Sequence, residues 1–332
     1  MEHKSFPSIE QFRNVIRFVK DQTQWVGKDE TGEAKFDRTR PLPKIQYRGT
    51  VKLHGTNAGI VITNDNTWFQ SRSNIITLDN DNAGFVRFMQ DKVDTLKSIF
   101  DFDRLNEVQI FGEWCGKGIQ KGVAISEVER MFVIFALKID NEWKDMEEWK
   151  HTLSFPDLRI FTITSFDTFS TTIDFNKPEE IQNKLIELTN GVEEECPVGA
   201  KFGIAGKVGE GIVWTPIEPE YNSSKFWFKV KGSKHSSSKV KILAPVDTEK
   251  LENMKNFIEY AVTENRLQQG IEKLRERGLD PIDKNTGEFL RWVVGDVTKE
   301  EIDTIVESGL DLKQVNVAVS KAAREWYFKT IV

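Results

Sequence analysis

Apolar residues recur along this chain with two different periods, and the change from one to the other divides it. From Ile45 to about Lys138 alternation and short apolar runs dominate, as in strands. Beyond Pro245 the spacing becomes about 3.6 residues, as in helices. Before the strand-rich part, residues 8–19 predict a short amphipathic helix with Phe12, Val15, Ile16 and Val19 inward. Residues 22–44, with Gly27, Gly32, Pro41 and Pro43, read as an irregular insertion. A helix is expected over 83–99, its stripe formed by Phe85, Phe88, Val93, Leu96 and Ile99. Residues 108–114 alternate towards a glycine-rich loop, whereas 131–139 are more continuously apolar, as a buried strand should be.

Residues 143–149 should pass through a turn into a short element. A helix over 179–189 is introduced by Asn176 and Pro178, with Ile181, Leu185 and Leu188 inward. Two further strands are expected within 201–241. The tail should hold one or two helices over 248–277, a turn at Gly278 and Asp280-Pro281, and helices over 299–306 and 312–331. The expected class is α+β: a strand-rich domain over 1–243 and an all-helical domain over 244–332.

Composition adds constraints. A chain of 332 residues, 39% hydrophobic, can bury one large core, but a division into two domains is the better expectation. Two cysteines, Cys115 and Cys196, make no disulfide framework, and a reducing compartment follows. Met1-Glu2-His3-Lys4-Ser5 holds no apolar signal region, and no run approaches the roughly 20 apolar residues of a membrane helix. A soluble cytoplasmic protein, with no membrane partner, is expected. The net charge of -6 argues against indiscriminate coating of polyanions, but not against a local nucleic-acid groove. Residues 201–241 carry eight lysines against three glutamates, and interleave them with Phe226, Trp227 and Phe228. That suggests a strand pair with phosphate on one side and core on the other.

Candidate chemistry centres on Val51-Lys52-Leu53-His54-Gly55-Thr56-Asn57, a polar turn between two strands. A lysine there, beside other cations, can lose its proton and attack phosphorus or carbonyl carbon. Taken alone, the heptad is equally the composition of a plain turn. Four other clusters change its meaning: Arg72 after a strand, Glu113 in Phe111-Gly112-Glu113, Glu210 before Gly211, and Lys229-Val230-Lys231. Residues two apart in a strand share a face, so Lys229 and Lys231 can address one set of phosphates. Two carboxylates, three lysines and an arginine suit a magnesium–nucleotide site. No GxxxxGK[S/T] segment exists, which disfavours a P-loop kinase or ATPase.

These ordered clusters resemble the motifs of the covalent nucleotidyltransferases, the superfamily of ATP-dependent ligases and mRNA capping enzymes. Lys52-Leu53-His54-Gly55 resembles the first motif and Phe111-Gly112-Glu113 the third, with residues 132–138 as the aromatic-bearing strand that follows. Glu210-Gly211 and Lys229-Val230-Lys231 resemble the fourth and fifth. The match is closer to the bacteriophage RNA ligase 2 type, which includes trypanosome RNA-editing ligases. It rests on His54, on Gly55-Thr56-Asn57, and on the stretch from Trp114 through Gly118-Ile119-Gln120-Lys121. The resemblance covers about 45–241.

The resemblance implies a ligase adenylation fold of antiparallel sheets and flanking helices, followed by a small helical C-terminal domain rather than an OB-fold. It implies ATP and Mg²⁺, or Mn²⁺ in its place, as cofactors, and RNA with 3′-hydroxyl and 5′-phosphate ends as partner. A monomer is expected, in the host cytoplasm if the chain is phage-encoded. The chemistry implied is attack by Lys52 on ATP to give lysyl-AMP, transfer of AMP to an RNA 5′-phosphate, and sealing by the 3′-hydroxyl. In this scheme Lys229 and Lys231 neutralise the triphosphate, and Glu210 organises metal. Glu113 serves the ribose and assists with metal. Phe135 stacks on adenine, Arg72 and Asn57 orient AMP and the RNA ends, and His54 contacts the transferred phosphate. Two positions depart from the pattern: Val51 replaces a polar residue before the nucleophile, and Ala136 stands where an aspartate is common. A DNA-joining or broad polynucleotide ligase would use the same chemistry, since no 2′-hydroxyl reader is legible. A catalytically silent nucleic-acid-binding protein is opposed by the presence of every charged residue of the centre.

Overall fold

Strand alternation and tight turns assemble two large sheets on either side of the Lys52 turn. The computed structural model describes residues 1–232 and 254–331. Among these, the strands are β1 (Glu10–Gln11), β2 (Trp25–Lys28), β3 (Ala34–Phe36), β4 (Lys44–Lys52), β5 (Thr56–Thr63), β6 (Thr67–Ser71) and β7 (Ile75–Ile76). They continue as β8 (Glu107–Cys115), β9 (Met131–Ile139), β10 (Glu142–Lys144), β11 (Ile160–Thr162), β12 (Thr168–Asp174), β13 (Gly211–Pro216) and β14 (Phe228–Lys231). A five-stranded sheet runs β1-β14-β13-β4-β12, antiparallel except for the β1–β14 pair. A seven-stranded sheet runs β10-β9-β8-β5-β6-β7, with β11 parallel beside β9. β4 ends in the first sheet at Lys52 and β5 opens in the second at Thr56, so residues 53–55 cross between sheets.

Period-2 burial decides which way each site residue points. In β4 the residues Ile45, Tyr47 and Val51 are buried, as are Ile212 and Trp214 of β13 and Phe228 and Val230 of β14. Their alternates, Lys52, Lys229 and Lys231, are only partly buried on the opposite face. The apolar face carries Phe12 of the helix Phe12–Gln24, whose ring centroid lies 4.6 Å from that of Phe228. The second sheet buries Ile60, Ile110, Phe132, Ile134 and Leu137 in one cluster with Phe85, Met89 and Leu96.

Several expected elements differ in detail. The first helix runs Phe12–Gln24 with all four expected residues buried, and starts late because Glu10 and Gln11 pair with Phe228 and Lys229. Residues 22–44 are not wholly irregular: β2 and β3 form a hairpin whose turn is fixed by Asp29, accepting from Thr31 and Glu33 amides. The helix expected over 83–99 is two short ones, Phe85–Met89 and Val93–Lys97. The Lys92 ammonium donates to the Phe88 carbonyl at 2.7 Å and ends the first of them. The helix expected over 179–189 is a 3₁₀ turn, Pro178–Ile181, continued as Gln182–Glu194.

The chain divides into two compact units, Met1–Gly232 and Ser233–Val332. The expected division at 243/244 lies outside the described residues, as do Pro245, Lys234, Lys239 and Lys241. The second unit is described as the helices Met254–Ala261, Glu264–Glu276, Thr286–Glu307 and Leu312–Thr330, so residues 299–306 end a longer helix. Phe257, Leu267, Phe289, Val293, Val319 and Tyr327 form its core. The buried Arg266 is balanced by Asp296 at 2.8 Å and Glu301 at 3.3 Å, as burial of a guanidinium requires. Mixed α+β structure with antiparallel sheets, flanking helices and a distinct C-terminal helical region is thus the observed class. Among the described residues no helix is long and apolar enough to cross a membrane, and both cysteines are free.

Candidate active site

Register builds the centre of the site. Lys52 of β4 is opposite Gly211 of β13, and Gly211 is opposite Lys231 of β14. The next row on the same face holds Thr50, Val213 and Lys229. A glycine in the middle of the first row lets the strands close: a Cβ on Gly211 would lie 2.2 Å from the Val230 carbonyl oxygen. Glu210, one residue before, is 4% exposed and reaches both lysines. Its Oε2 accepts from Lys52 Nζ at 2.7 Å and its Oε1 is 3.0 Å from Lys231 Nζ. His54 Nδ1 is 3.3 Å from the same Oε2.

This is a buried carboxylate shared by two ammonium groups. Burial alone would push the Glu210 carboxyl up, but Lys52, Lys231 and His54 together hold it well below the ordinary carboxylate range. For Lys231, burial lowers the ammonium, helped by Lys52 and Lys229 and opposed by Glu210.

The inter-sheet turn is held tightly. Glu113 Oε1 accepts the Gly55 N–H at 2.8 Å, and Gln120 Nε2 donates to the Gly55 carbonyl at 3.3 Å. A side chain at Gly55 would bring Cβ within 2.4 Å of the Trp114 carbonyl oxygen, so only glycine fits. Asn57 is the register partner of Glu113 across β5 and β8, and Thr56 accepts from Asn82 Nδ2 at 3.0 Å. Thus Lys52, His54, Glu210 and Lys231 meet in one cluster, Lys229 shares its face, and Asn57 and Glu113 sit beside the same turn.

Phe135 and Arg72 are placed differently. A β-bulge between Phe111 and Gly112 on the β8–β9 ladder leaves Phe135 and Ala136 both off the main core, packed with Phe6, Phe111, Trp143 and Trp227. An aspartate at Ala136 would stand in this aromatic cluster, which accounts for the small apolar residue there. Val51, the other departure, alternates into the core at 2% exposure. Arg72 donates to the Pro7 carbonyl at 3.5 Å and the Ser8 hydroxyl at 3.3 Å. The sequence reading missed this N-terminal segment because an isolated Phe6-Pro7 carries no period and no charge.

The donor set limits how a metal can be held. Among the described residues no three His, Cys, Asp or Glu side chains gather as a metal cage. Glu210, buried and already drawing cations, fits the carboxylate anchor of a small hard cation that takes its remaining ligands from phosphate and water.

Two largely antiparallel sheets, joined by the crossing turn, thus bring a strand-end lysine against a buried carboxylate that it shares with a second strand lysine. The family model described as RNA ligase matches residues 45–231, and the chain belongs to that family. Among solved structures it is similar to the Naegleria gruberi RNA ligase with PPi, at 15% identity and TM-score 0.45, over 70% of this chain and 56% of that one. It is also similar to a mutant of that ligase with ATP and Mn, at 14% identity and TM-score 0.45, over 69% and 56% of the two chains. The chain therefore spans just over half the length of those structures.

Proposed function

We propose that this chain is an ATP-dependent RNA ligase of the bacteriophage RNA ligase 2 type, sealing 3′-hydroxyl and 5′-phosphate ends through lysyl-AMP and AppRNA. The observation that carries the reading is the Lys52–Glu210–Lys231 cluster, in which Glu210 precedes Gly211 in the row that joins the two lysines across three strands. An amine nucleophile needs cations around it to favour its neutral form and a carboxylate to hold it in place beforehand, and this cluster supplies both.

In the first step the neutral Lys52 Nζ attacks the α-phosphorus of ATP. An N–P bond forms, the bond to the bridging oxygen breaks, and pyrophosphate leaves. Lys52 becomes available when its ammonium leaves the Glu210 pair and gives up a proton, with Lys229 and Lys231 close by to disfavour its charged form. Those two lysines offset charge on the phosphates in the transition state. Glu113 fixes the Gly55 amide and so the turn, and its remaining acceptor capacity suits a ribose hydroxyl. Mg²⁺, or Mn²⁺ in its place, would be held by Glu210 with assistance from Glu113 and would neutralise phosphate charge. In the second step the RNA 5′-phosphate oxygen displaces Lys52 from AMP. In the third, the RNA 3′-hydroxyl attacks the activated phosphate and AMP departs. Asn57, beside Glu113, and Arg72 are assigned to orienting AMP and the RNA ends.

The decisive measurement is the covalent adduct. Incubation with labelled ATP and Mg²⁺ should leave one AMP on Lys52 through an acid-labile, base-resistant bond. Label on another lysine, or a labelled Lys52→Ala protein, would refute the mechanism. Sealing of nicked RNA duplex, nicked DNA duplex and 5′-phosphorylated single-stranded RNA, compared under one condition, then separates the RNA reading from a broad polynucleotide ligase.

A further inference from the structure

The first eleven residues precede the region matched by the family model, yet they touch three residues assigned to the site. Residues 2–4 are fastened along β6. The Lys4 N–H donates to Gln70 Oε1 at 3.0 Å, Gln70 Nε2 donates back to the Lys4 carbonyl at 2.6 Å, and the Trp68 indole donates to the Glu2 carbonyl at 3.2 Å. Pro7 and Ser8 then accept from Arg72, and Gln11 pairs with Lys229. Between these anchors Phe6 is turned inward, 6% exposed. Its ring centroid lies 5.0 Å from that of Phe135 in an edge-on arrangement, 5.2 Å from Phe111, 5.9 Å from Trp143 and 6.0 Å from Trp227.

An edge-on ring contact fixes the plane of both rings, and a phenylalanine has only two torsions to fix. Because the bulge brings Phe135 out of the main core, the packing that sets its ring plane comes from this satellite cluster, to which the N-terminal segment supplies the Phe6 ring and the partly buried Ile9. We infer that Phe6 is a positioning residue for the nucleotide: it holds the Phe135 ring in the plane that stacks on adenine, with residues 2–11 as its strap. The inference rests on the assignment of Phe135 to the base. Removing the Phe6 ring frees Phe135 to reorient and weakens nucleotide binding, whereas Lys52, Glu210 and Lys231 are not disturbed. The loss belongs in the ATP concentration needed, not in the maximal rate.

The test uses the intact chain and follows lysyl-AMP formation against ATP concentration. Phe6→Ala should raise the half-saturating ATP concentration about tenfold, the loss expected when base stacking is impaired. Its maximal rate should stay within about twofold. Phe6→Tyr, which keeps the ring, should restore most of the affinity. Phe100→Ala, which removes a ring from the main core, should lower the melting temperature and leave half-saturation unchanged. Should Phe6→Ala not fold, Phe6→Leu keeps the volume without the ring and should still weaken ATP. Unchanged half-saturation in the ring-less variants, a loss confined to the maximal rate, or an equal loss in Phe100→Ala overturns the positioning role alone. If the wild-type chain forms lysyl-AMP but Phe135→Ala binds ATP normally, the base assignment fails and the inference falls with it.

Discussion

Glu210 is the residue on which the charge balance of the site turns. It keeps Lys231 as a partner when Lys52 is removed, so Lys52→Ala should remain folded while losing all covalent AMP, checked by intact mass and a melting curve. Glu210→Gln is different. It leaves Lys52 and Lys231 without their shared counter-charge, and breaking such a buried pair should destabilise by roughly 3 kcal/mol at neutral pH. The pH dependence has a definite sign. The folded-state pKa of Glu210 is depressed, so its stabilisation is fully present above the unfolded value near 4.5 and is lost as pH falls through the lower folded value. The gap in melting temperature between wild type and Glu210→Gln should therefore be constant near neutrality and close only below pH 4.5. A gap that closed between pH 8 and 6 would place the coupling on another group. The sequence positions of Lys52, Glu210, Lys229 and Lys231 were legible because charged residues within or at the ends of apolar strands stand out, Glu210 and Lys231 beside glycines and Lys229 two residues from Lys231. Phe6 was not, since one aromatic residue outside any periodic run looks the same whether it packs in a core or sets a ligand ring.

Elements convert those residues into geometry, and here small irregularities matter more than strand identity. Strand locations were legible: β9 coincides with the expected run and β8 nearly so, because apolar alternation survives burial on either face. The bulge that brings Phe135 and Ala136 to one face was not legible, because one inserted residue shifts side-chain direction without changing composition. Nor was the break between Phe85–Met89 and Val93–Lys97, where helical spacing continues through a stretch that the Lys92 cap interrupts. Close approach at Gly211 gives an element-scale prediction. An added Cβ would lie 2.2 Å from the Val230 carbonyl oxygen and 2.9 Å from Lys231 Cα, both backbone atoms with little freedom to yield. Gly211→Ala should cost about 2 kcal/mol, seen as a fall of roughly 5 °C in melting temperature. It should also slow lysyl-AMP formation by prising β14 from β13 and so separating Lys231 from Glu210. The same variant with normal adduct formation would show that the row need not be closed for chemistry.

At the scale of the whole molecule, the change of hydrophobic period marked a helical tail, and the tail has its own apolar core and its own buried ion network around Arg266. Every residue assigned to lysyl-AMP formation, Phe6 included, lies at or before Lys231, where the matched family region ends, while the helices from Met254 onward lie beyond it. The chemistry of activation and the placement of RNA should therefore separate when the chain is shortened. A protein ending at Lys241 should fold, because both sheets of the first unit are complete by Lys231, and should accept AMP from ATP at close to the full-length rate. It should seal RNA ends at least about a hundredfold more slowly, since loss of positioning alone costs that much without touching the nucleophile. Lysyl-AMP yield and sealing of a nicked RNA duplex, measured side by side for the shortened and full-length chains, decide the matter. Undiminished sealing would assign the helical unit a structural or regulatory role, and a shortened chain that fails to fold would show that the first unit depends on residues beyond Lys241.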